Sequence, residues 1–258
     1  MPKVPRVPRV PRVPGVPRVP GVPRVRGVRG ALPAVDQDTR ERLLSEGARL
    51  FAARGYARVT VRDICRAAHA NVAAINYHFH GKRGLYDAVV QSAIDQMRAT
   101  TATIIEVGTG QSPGQRLTTF IAIFLQRVTA TRDNWIHQLM MRELNEPTAA
   151  LDRVVRRVIE PRMAYLGEVI GKLLGCRPSD PRVRRSVTSV QLQCLAAIDR
   201  RLPIHNVPTT PDEVAALADH IARFSIGGIT ALRAQAPRRS RAPRGTHPGP
   251  RARLLRRP

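Results

Sequence analysis

The sequence predicts an all-α protein between two basic, Pro-rich tails. Three observations carry this. Apolar residues recur at three- and four-residue steps over most of residues 36–232, the spacing of one helix face. No stretch of useful length alternates apolar and polar residues as a half-buried strand would. Pro and Gly fall between the periodic stretches, where they end helices.

The chain has 258 residues and a formal net charge of +24. Residues 1–35 carry eight Lys or Arg and no acid, and residues 233–258 carry nine Arg and no acid, which leaves residues 36–232 at about +7. The basic signal therefore belongs mostly to the tails and says little about the folded part. Residues 2–25 repeat Val-Pro-Arg or Val-Pro-Gly. Proline at every third position removes donors and fixes φ, so the stretch is expected to be an extended, solvated, disordered arm. Three readings fit it: a translation start placed too early, with the true start nearer Val28–Val35; a functionless tail; or an arm adding non-specific phosphate contacts. The Arg/Pro-rich tail at 233–258 is read the same way.

Cys65, Cys176 and Cys194 have no metal-type spacing, and an odd, sparse count suits a reducing cytoplasm. They are expected to be small buried apolar residues. The longest apolar runs, such as Phe120–Leu125, are far short of the ~20 residues a membrane span needs. No membrane partner is expected, and the N-terminus lacks the apolar region of a secretory signal.

In order along the chain, Leu43, Leu44, Ala48, Leu50 and Phe51 mark a first helix that Gly55 stops. A second is expected over Val61–Ala68 and a third over Val72–His78. A longer fourth begins near Lys82, with Leu85, Val89, Ala93, Ile94 and Met97 on one face. A loop spans Gly108–Gly114. Helices follow at roughly 115–130, 134–145, 148–174, 181–201 and 211–232. Pro161 lies inside the 148–174 stretch and is expected to kink or split it. These elements divide into a domain at 36–82 and a larger one at 83–232.

Residues 60–82 carry the functional signal. Two short helices joined by a tight turn are the layout of a helix-turn-helix, which lays its second helix in a DNA major groove. Ile64 and Ala68 face the core, and small Ala67 and Ala68 let the helices approach closely. Asn71 is an N-cap whose side chain accepts from Ala73 or Ala74. Ile75 and Phe79 point inward; Val72, Ala73, Asn76 and His78 are expected outside, with Tyr77 at the edge. Asn76 can pair bidentately with adenine, His78 can reach a base edge or phosphate, and Val72 and Ala73 can touch a thymine methyl. Arg62 on the bracing helix can reach a guanine edge, while Thr60, Tyr77 and Lys82 suit phosphates.

The stretch from about Arg40 to Val90 resembles the N-terminal domain of TetR-family transcriptional regulators. The resemblance rests on Leu43-Leu44, Ala48, Leu50-Phe51, Gly55-Tyr56, Thr60-Val61, Ile64, Ala68, Asn71, Tyr77-His78-Phe79, Lys82 and Leu85-Tyr86. The run Asn71–Phe79 with Gly84-Leu85-Tyr86 is similar to the CecR-like branch, as are Met141–Pro147 and Ile159-Glu160-Pro161. The resemblance implies three DNA-binding helices, then a helical domain that binds a small effector and dimerises through its last two long helices. It also implies that Arg62, Val72, Ala73, Asn76 and His78 read bases while Thr60, Tyr77 and Lys82 hold phosphates. Two residues depart from the pattern. His69 stands at the turn position, usually glycine, that takes positive φ, and Ala70 stands where a larger apolar residue usually packs.

In the second domain, Phe124, Trp135, Gln138, Leu139, Glu143, Met163 and Tyr165 are candidates for an effector pocket, since mixed aromatic and Met surface suits a greasy ligand. Packing as ordinary core is the competing reading. Val183, Val187, Val190, Cys194 and then Leu217, Ile221, Phe224 recur at helical spacing and are candidates for a dimer interface, with packing inside one chain as the alternative.

The function expected is that of a cytoplasmic, homodimeric, DNA-binding repressor. Its partners are a double-stranded, palindromic operator and a small-molecule effector that releases it. The alternative is a non-specific nucleic-acid binder driven by the tails. The sequence shows no Gly-rich phosphate loop, no metal-ligand cluster and no nucleophile–base spacing, and His78-x-His80 alone is a poor metal site. No enzyme activity, cofactor or metal is expected.

Overall fold

Gly55, at φ 80°, ends the first helix where the sequence places the stop. From there the periodic stretches and the helices correspond closely. The computed structural model describes residues 34–129, 135–196 and 208–235. In order they form α1 (Ala34–Arg54), α2 (Val61–Ala67), α3 (Val72–Phe79), α4 (Lys82–Val107), α5 (Pro113–Thr129) and α6 (Trp135–Asn145). Then come α7 (Leu151–Val154), a π turn (Val155–Ile159), α8 (Glu160–Leu174), α9 (Pro181–Ala196) and α10 (Pro211–Ala234). No strand occurs among the described residues. The basic tails lie almost wholly outside them, although α1 already begins at Ala34 and α10 runs to Ala234.

Local chemistry explains the helix ends. Thr60 opens α2 with a reciprocal cap: its hydroxyl accepts from the Asp63 amide at 3.1 Å, and its own amide donates to Asp63 Oδ2 at 3.0 Å. Thr210 and Glu213 repeat the device at α10, with Pro211 in the first turn. Pro161 neither breaks nor stops its helix. A proline ring clashes with the carbonyl four residues back. The helix answers by widening for one turn, so that the Glu160 amide bonds to Val155 O, five residues back.

Two hydrophobic cores result. One joins α1, α2, α3 and the first half of α4 around Phe51, Ile64, Ile75 and Leu85. It also takes in Leu139 from α6, Val154 from α7 and Val158 from the π turn, so it reaches past the expected boundary at residue 82. The other joins α5, α8, α9 and α10 around Phe120, Leu166, Val190 and Ile221. α4 spans both, contributing Ile94 to the first and Ile104 to the second. Its start packs hard on α3: a Cβ on Gly84 would stand 1.7 Å from Phe79 O, so only glycine lets the two backbones meet there.

The α2–α3 turn carries backbone strain. His69 has φ 50°, the left-handed conformation that the position demands. Replacing His69 with Gly is expected to raise stability by up to about 1 kcal/mol, net of glycine's larger loss of freedom on folding. For a chain of this size that is a rise in melting temperature of roughly 2–4 °C. A thermal unfolding curve that does not move would show that the turn is not strained by histidine.

Candidate nucleic-acid interface

α3 is eight residues long and cannot hold itself rigid. Its shape is imposed from its two ends and its inner face. At the N-terminus Asn71 Oδ1 accepts from the Ala74 amide at 2.8 Å. At the C-terminus His80 takes φ 57° and donates its amide to Asn76 O at 3.0 Å. On the inner face Ile75 and Phe79 are buried, and the Arg40 guanidinium of α1 lies 5.2 Å from the Phe79 ring.

His78 is the correction on this helix. The sequence reading puts it outside, against a base edge or phosphate. Its side chain is instead 4% exposed, with Nε2 3.0 Å from Asp36 Oδ1 in the first turn of α1. The reason is helical: three residues beyond Ile75, its side chain shares the inward face with Ile75 and Phe79. His78 therefore braces the helix and does not present its imidazole to DNA. His80, by contrast, is exposed at the cap, so the two histidines face apart.

What α3 does present is Val72, Ala73, Asn76 and Tyr77, all exposed, with Tyr77 at 67%. Tyr77 is the most projecting large side chain there, not an edge residue. Arg62 is exposed on α2, and Arg66, one turn further on and not singled out from sequence, is exposed beside it. An i, i+4 spacing puts both on one face. Arg83 is likewise exposed in the first turn of α4 and was missed. Two expected phosphate anchors have other duties. The Thr60 hydroxyl caps α2 and lies 2.7 Å from Asp63 Oδ2, and its hydrogen bonds, first from the side chain and then the amide, hold the Asp63 carboxyl below its usual range. Lys82 Nζ sits 4.4 Å from the Tyr56 ring centroid, a cation–π contact that holds it at the base of α3.

The other predicted sites do not assemble as expected. Phe124 and Tyr165 are buried and Met163 partly buried in the second core, while Trp135 and Leu139 belong to the first. Gln138 is exposed. Glu143 is a buried structural carboxylate: it accepts from the Tyr86 hydroxyl and from Thr148, whose amide stands at 3.1 Å. Burial first, and then Glu143 beside it, push the Tyr86 phenol up. Six of the seven residues are thus divided between the two cores and Gln138 stands outside them. A surface groove of about 400 Å³ beside the α8–α9 turn is bounded by Glu168, Lys172, Cys176 and Arg177 and includes none of them.

The dimer candidates are corrected too. Val183, Val187, Val190, Cys194 and Ile221 are buried in the chain's own second core, and Leu217 is partly buried against it. Burial pushes the Cys194 thiol up to about 12, as befits a small apolar residue. Only Phe224 is exposed, at 66%. The strongest apolar stripe marks the face a helix turns to its own core, not to a partner.

Two substitutions separate bracing from reading. His78→Ala, which strands the Asp36 carboxylate, is expected to cost about 1–3 kcal/mol of stability, read as a lower melting temperature. Asn76→Ala is expected to leave the melting temperature within a degree or so, as exposed positions do. Equal destabilisation by both would contradict the assignment of faces.

Comparison with known proteins agrees with this geometry. Residues 43–89 match the family model described as bacterial regulatory proteins, tetR family. Residues 113–229 match the C-terminal domain of the HTH-type transcriptional dual regulator CecR. The probable HTH-type transcriptional regulator YttP of Bacillus subtilis (strain 168) is 30% identical over 79 residues, covering 31% of this chain and 38% of that protein. The match thus spans well under half the length of that relative. Among solved structures, the ketosteroid transcriptional regulator KstR2 of Mycobacterium tuberculosis is similar with a TM-score of 0.56 and 17% identity, over 78% of this chain and 98% of that one. AibR in complex with isovaleryl coenzyme A and operator DNA is similar with a TM-score of 0.55 and 16% identity, over 74% of this chain and 97% of that one. These structural likenesses concern the fold. The two domain matches, over residues 43–89 and 113–229, place the chain in the TetR family of bacterial transcriptional regulators, with a second domain of the CecR type.

Proposed function

We propose that this protein is a homodimeric, sequence-specific repressor that a small molecule releases from a palindromic operator. The observation that carries the reading is the outer face of α3. Val72, Ala73, Asn76 and Tyr77 stand exposed on a helix whose opposite face is held by Ile75, His78 and Phe79. Asn76 is the adenine reader, Val72 and Ala73 the thymine-methyl contacts, and Arg62 and Arg66 the cations that flank them. Tyr77 is suited to the backbone. AibR, which shares the fold, is seen with both a small molecule and operator DNA; the same pairing of partners is proposed here. The protein acts where that DNA is, in the cytoplasm, and as a regulator rather than an enzyme. No described helix is long and apolar enough to cross a membrane.

A dimer is needed because one eight-residue helix reads only a half-site. The surface proposed for it is the outer stripe of α10, His220, Phe224, Gly227 and Gly228, with Leu192 of α9. These residues are exposed, His220 and Phe224 stack at 6.3 Å, and a Cβ at Gly227 or Gly228 would meet nothing. Small residues beside one aromatic allow two helices to pack closely.

Selection of bound fragments from random DNA by the full-length protein tests the reading. A palindrome with half-sites one helical turn apart, about 34–36 Å, is expected. Asn76→Ala is expected to relax the preference at one position per half-site and cost about 1–3 kcal/mol. If no sequence is enriched, and salt abolishes binding of wild type and N76A alike, the tails are responsible and the reading is wrong. Phe224→Glu is expected to yield monomers by light scattering; an unchanged dimer would place the interface elsewhere.

A further inference from the structure

Arg162 is a buried cation that no carboxylate among the described residues matches. The residue is 8% exposed and stands on α8 one residue after Pro161, just past the π turn. Its Nε donates to Thr101 Oγ1 at 3.3 Å and its Nη2 to Met97 O at 3.2 Å, both on α4. The guanidinium carbon lies 5.3 Å from the Phe124 ring centroid. No carboxylate among the described residues pairs with it; burial alone pulls its pKa down, to about 10, which leaves it charged at neutral pH.

The desolvation of such a charge costs several kcal/mol, and neutral acceptors offset only part of it. A methionine or leucine would tie α8 to α4 at less cost, so packing does not account for an arginine. The guanidinium has two hydrogen-bonding edges. The Nε/Nη2 edge is spent on α4. The other, Nη1 with the second hydrogen of Nη2, bonds to no described residue, and its two parallel N–H groups match a carboxylate. Nη1 is not among the fully buried unpaired atoms of the described residues, so this edge is within reach of solvent and of a ligand. Met97 packs against the first core and Phe124 belongs to the second, so Arg162 lies on the seam between the DNA-reading core and the larger one.

We infer that Arg162 is the anion-binding residue of the effector site, taking the carboxylate of a small amphipathic acid whose apolar part lies against Phe124 and Met97. The inference deepens the effector-released reading above and rests on it for its regulatory meaning. Through Thr101 and Met97, Arg162 grips the same helix whose other end abuts α3, so an acid bound there acts on α4.

The experiment uses the full-length protein with butyrate, octanoate and 4-phenylbutyrate, each beside its neutral amide. Binding is followed by thermal unfolding and by the fluorescence of Trp135. The expected result is that at least one acid raises the melting temperature by a few degrees while its amide does not. Arg162→Met should abolish that shift and yet melt no lower than wild type, because removing an unpaired buried charge is not destabilising. Arg162→Lys should keep a weakened shift, since it retains the charge without the fork. The inference is overturned if acid and amide act alike, if no acid shifts the transition, or if the shift survives in R162M. It is also overturned if R162M melts several degrees lower, which would make Arg162 a structural tie. None of these readouts needs DNA. Failure to select an operator would therefore sink the repressor reading and leave the acid site standing, and the reverse also holds.

Discussion

The rest of the structure depends on the grip of α6 on α1 and α4. The Glu143 carboxylate is 2% exposed and is tolerable there only because it is fully bonded. It accepts from the Tyr86 hydroxyl on α4 and from the amide and hydroxyl of Thr148. Next to it, Arg142 donates to the carbonyls of Ala52, at 2.7 Å, and Ala53, which are among the orphan acceptors in the last turn of α1. Tyr86 in turn packs edge-on against Phe51 at 5.0 Å and against Tyr56 at 4.8 Å, and Tyr56 carries the Lys82 ammonium on its face. One acid and one arginine thus join α6 to the helix that braces the reading helix and to the helix that follows it. Loss of Glu143 would leave the Tyr86 hydroxyl and the Thr148 donors unpaired, and loss of Arg142 would bare two carbonyls, so α6 is held as part of the DNA-reading core.

The grip also explains how a ligand far from α3 can matter to it. α4 carries Tyr86 near its start and Met97 and Thr101, the partners of Arg162, three to four turns further on. Its first turn is pressed against the end of α3 at Gly84. A rigid helix with a fixed contact at each end is a physical route between two sites, and an event that favours one placement of α4 biases the reading helices of a dimer. The large net charge lies mainly in the tails, while α3 itself offers amide, methyl and phenol groups, which suit sequence reading.

Much of this was legible in the sequence because it is local. Helix ends follow from Gly55 and Asn71, and the positive φ at His69 follows from its place in the turn; the Thr60–Asp63 box is just as local, but the sequence reading gives Thr60 to phosphates and only the structure shows the cap. Faces were harder. Polarity points His78 outward, yet its position three residues after Ile75 decides its direction, and a partner at Asp36, forty-two positions earlier, satisfies the imidazole inside. Polarity likewise points Glu143 to a pocket, while its partner Tyr86 is 57 residues away. The valines of α9 looked like an interface because amphipathicity shows that a helix has an inner face without saying whose core it meets. The π turn before Arg162 was readable only as a conflict at Pro161, since widening by one residue changes no side chain.

Two copies of the chain are proposed to present two braced α3 helices one turn of DNA apart. The direct test is a pulsed electron-spin distance measurement between labels at position 45, an exposed site on α1 away from the reading face. It would use Ser45→Cys in a Cys176→Ser background, since Cys65 and Cys194 are buried. Bound to its selected operator, the protein should give one narrow distance, fixed by two α3 helices set the 34–36 Å separation of successive major grooves apart. A single-copy signal on that DNA, or a separation that two half-sites on one face cannot accept, would contradict the account.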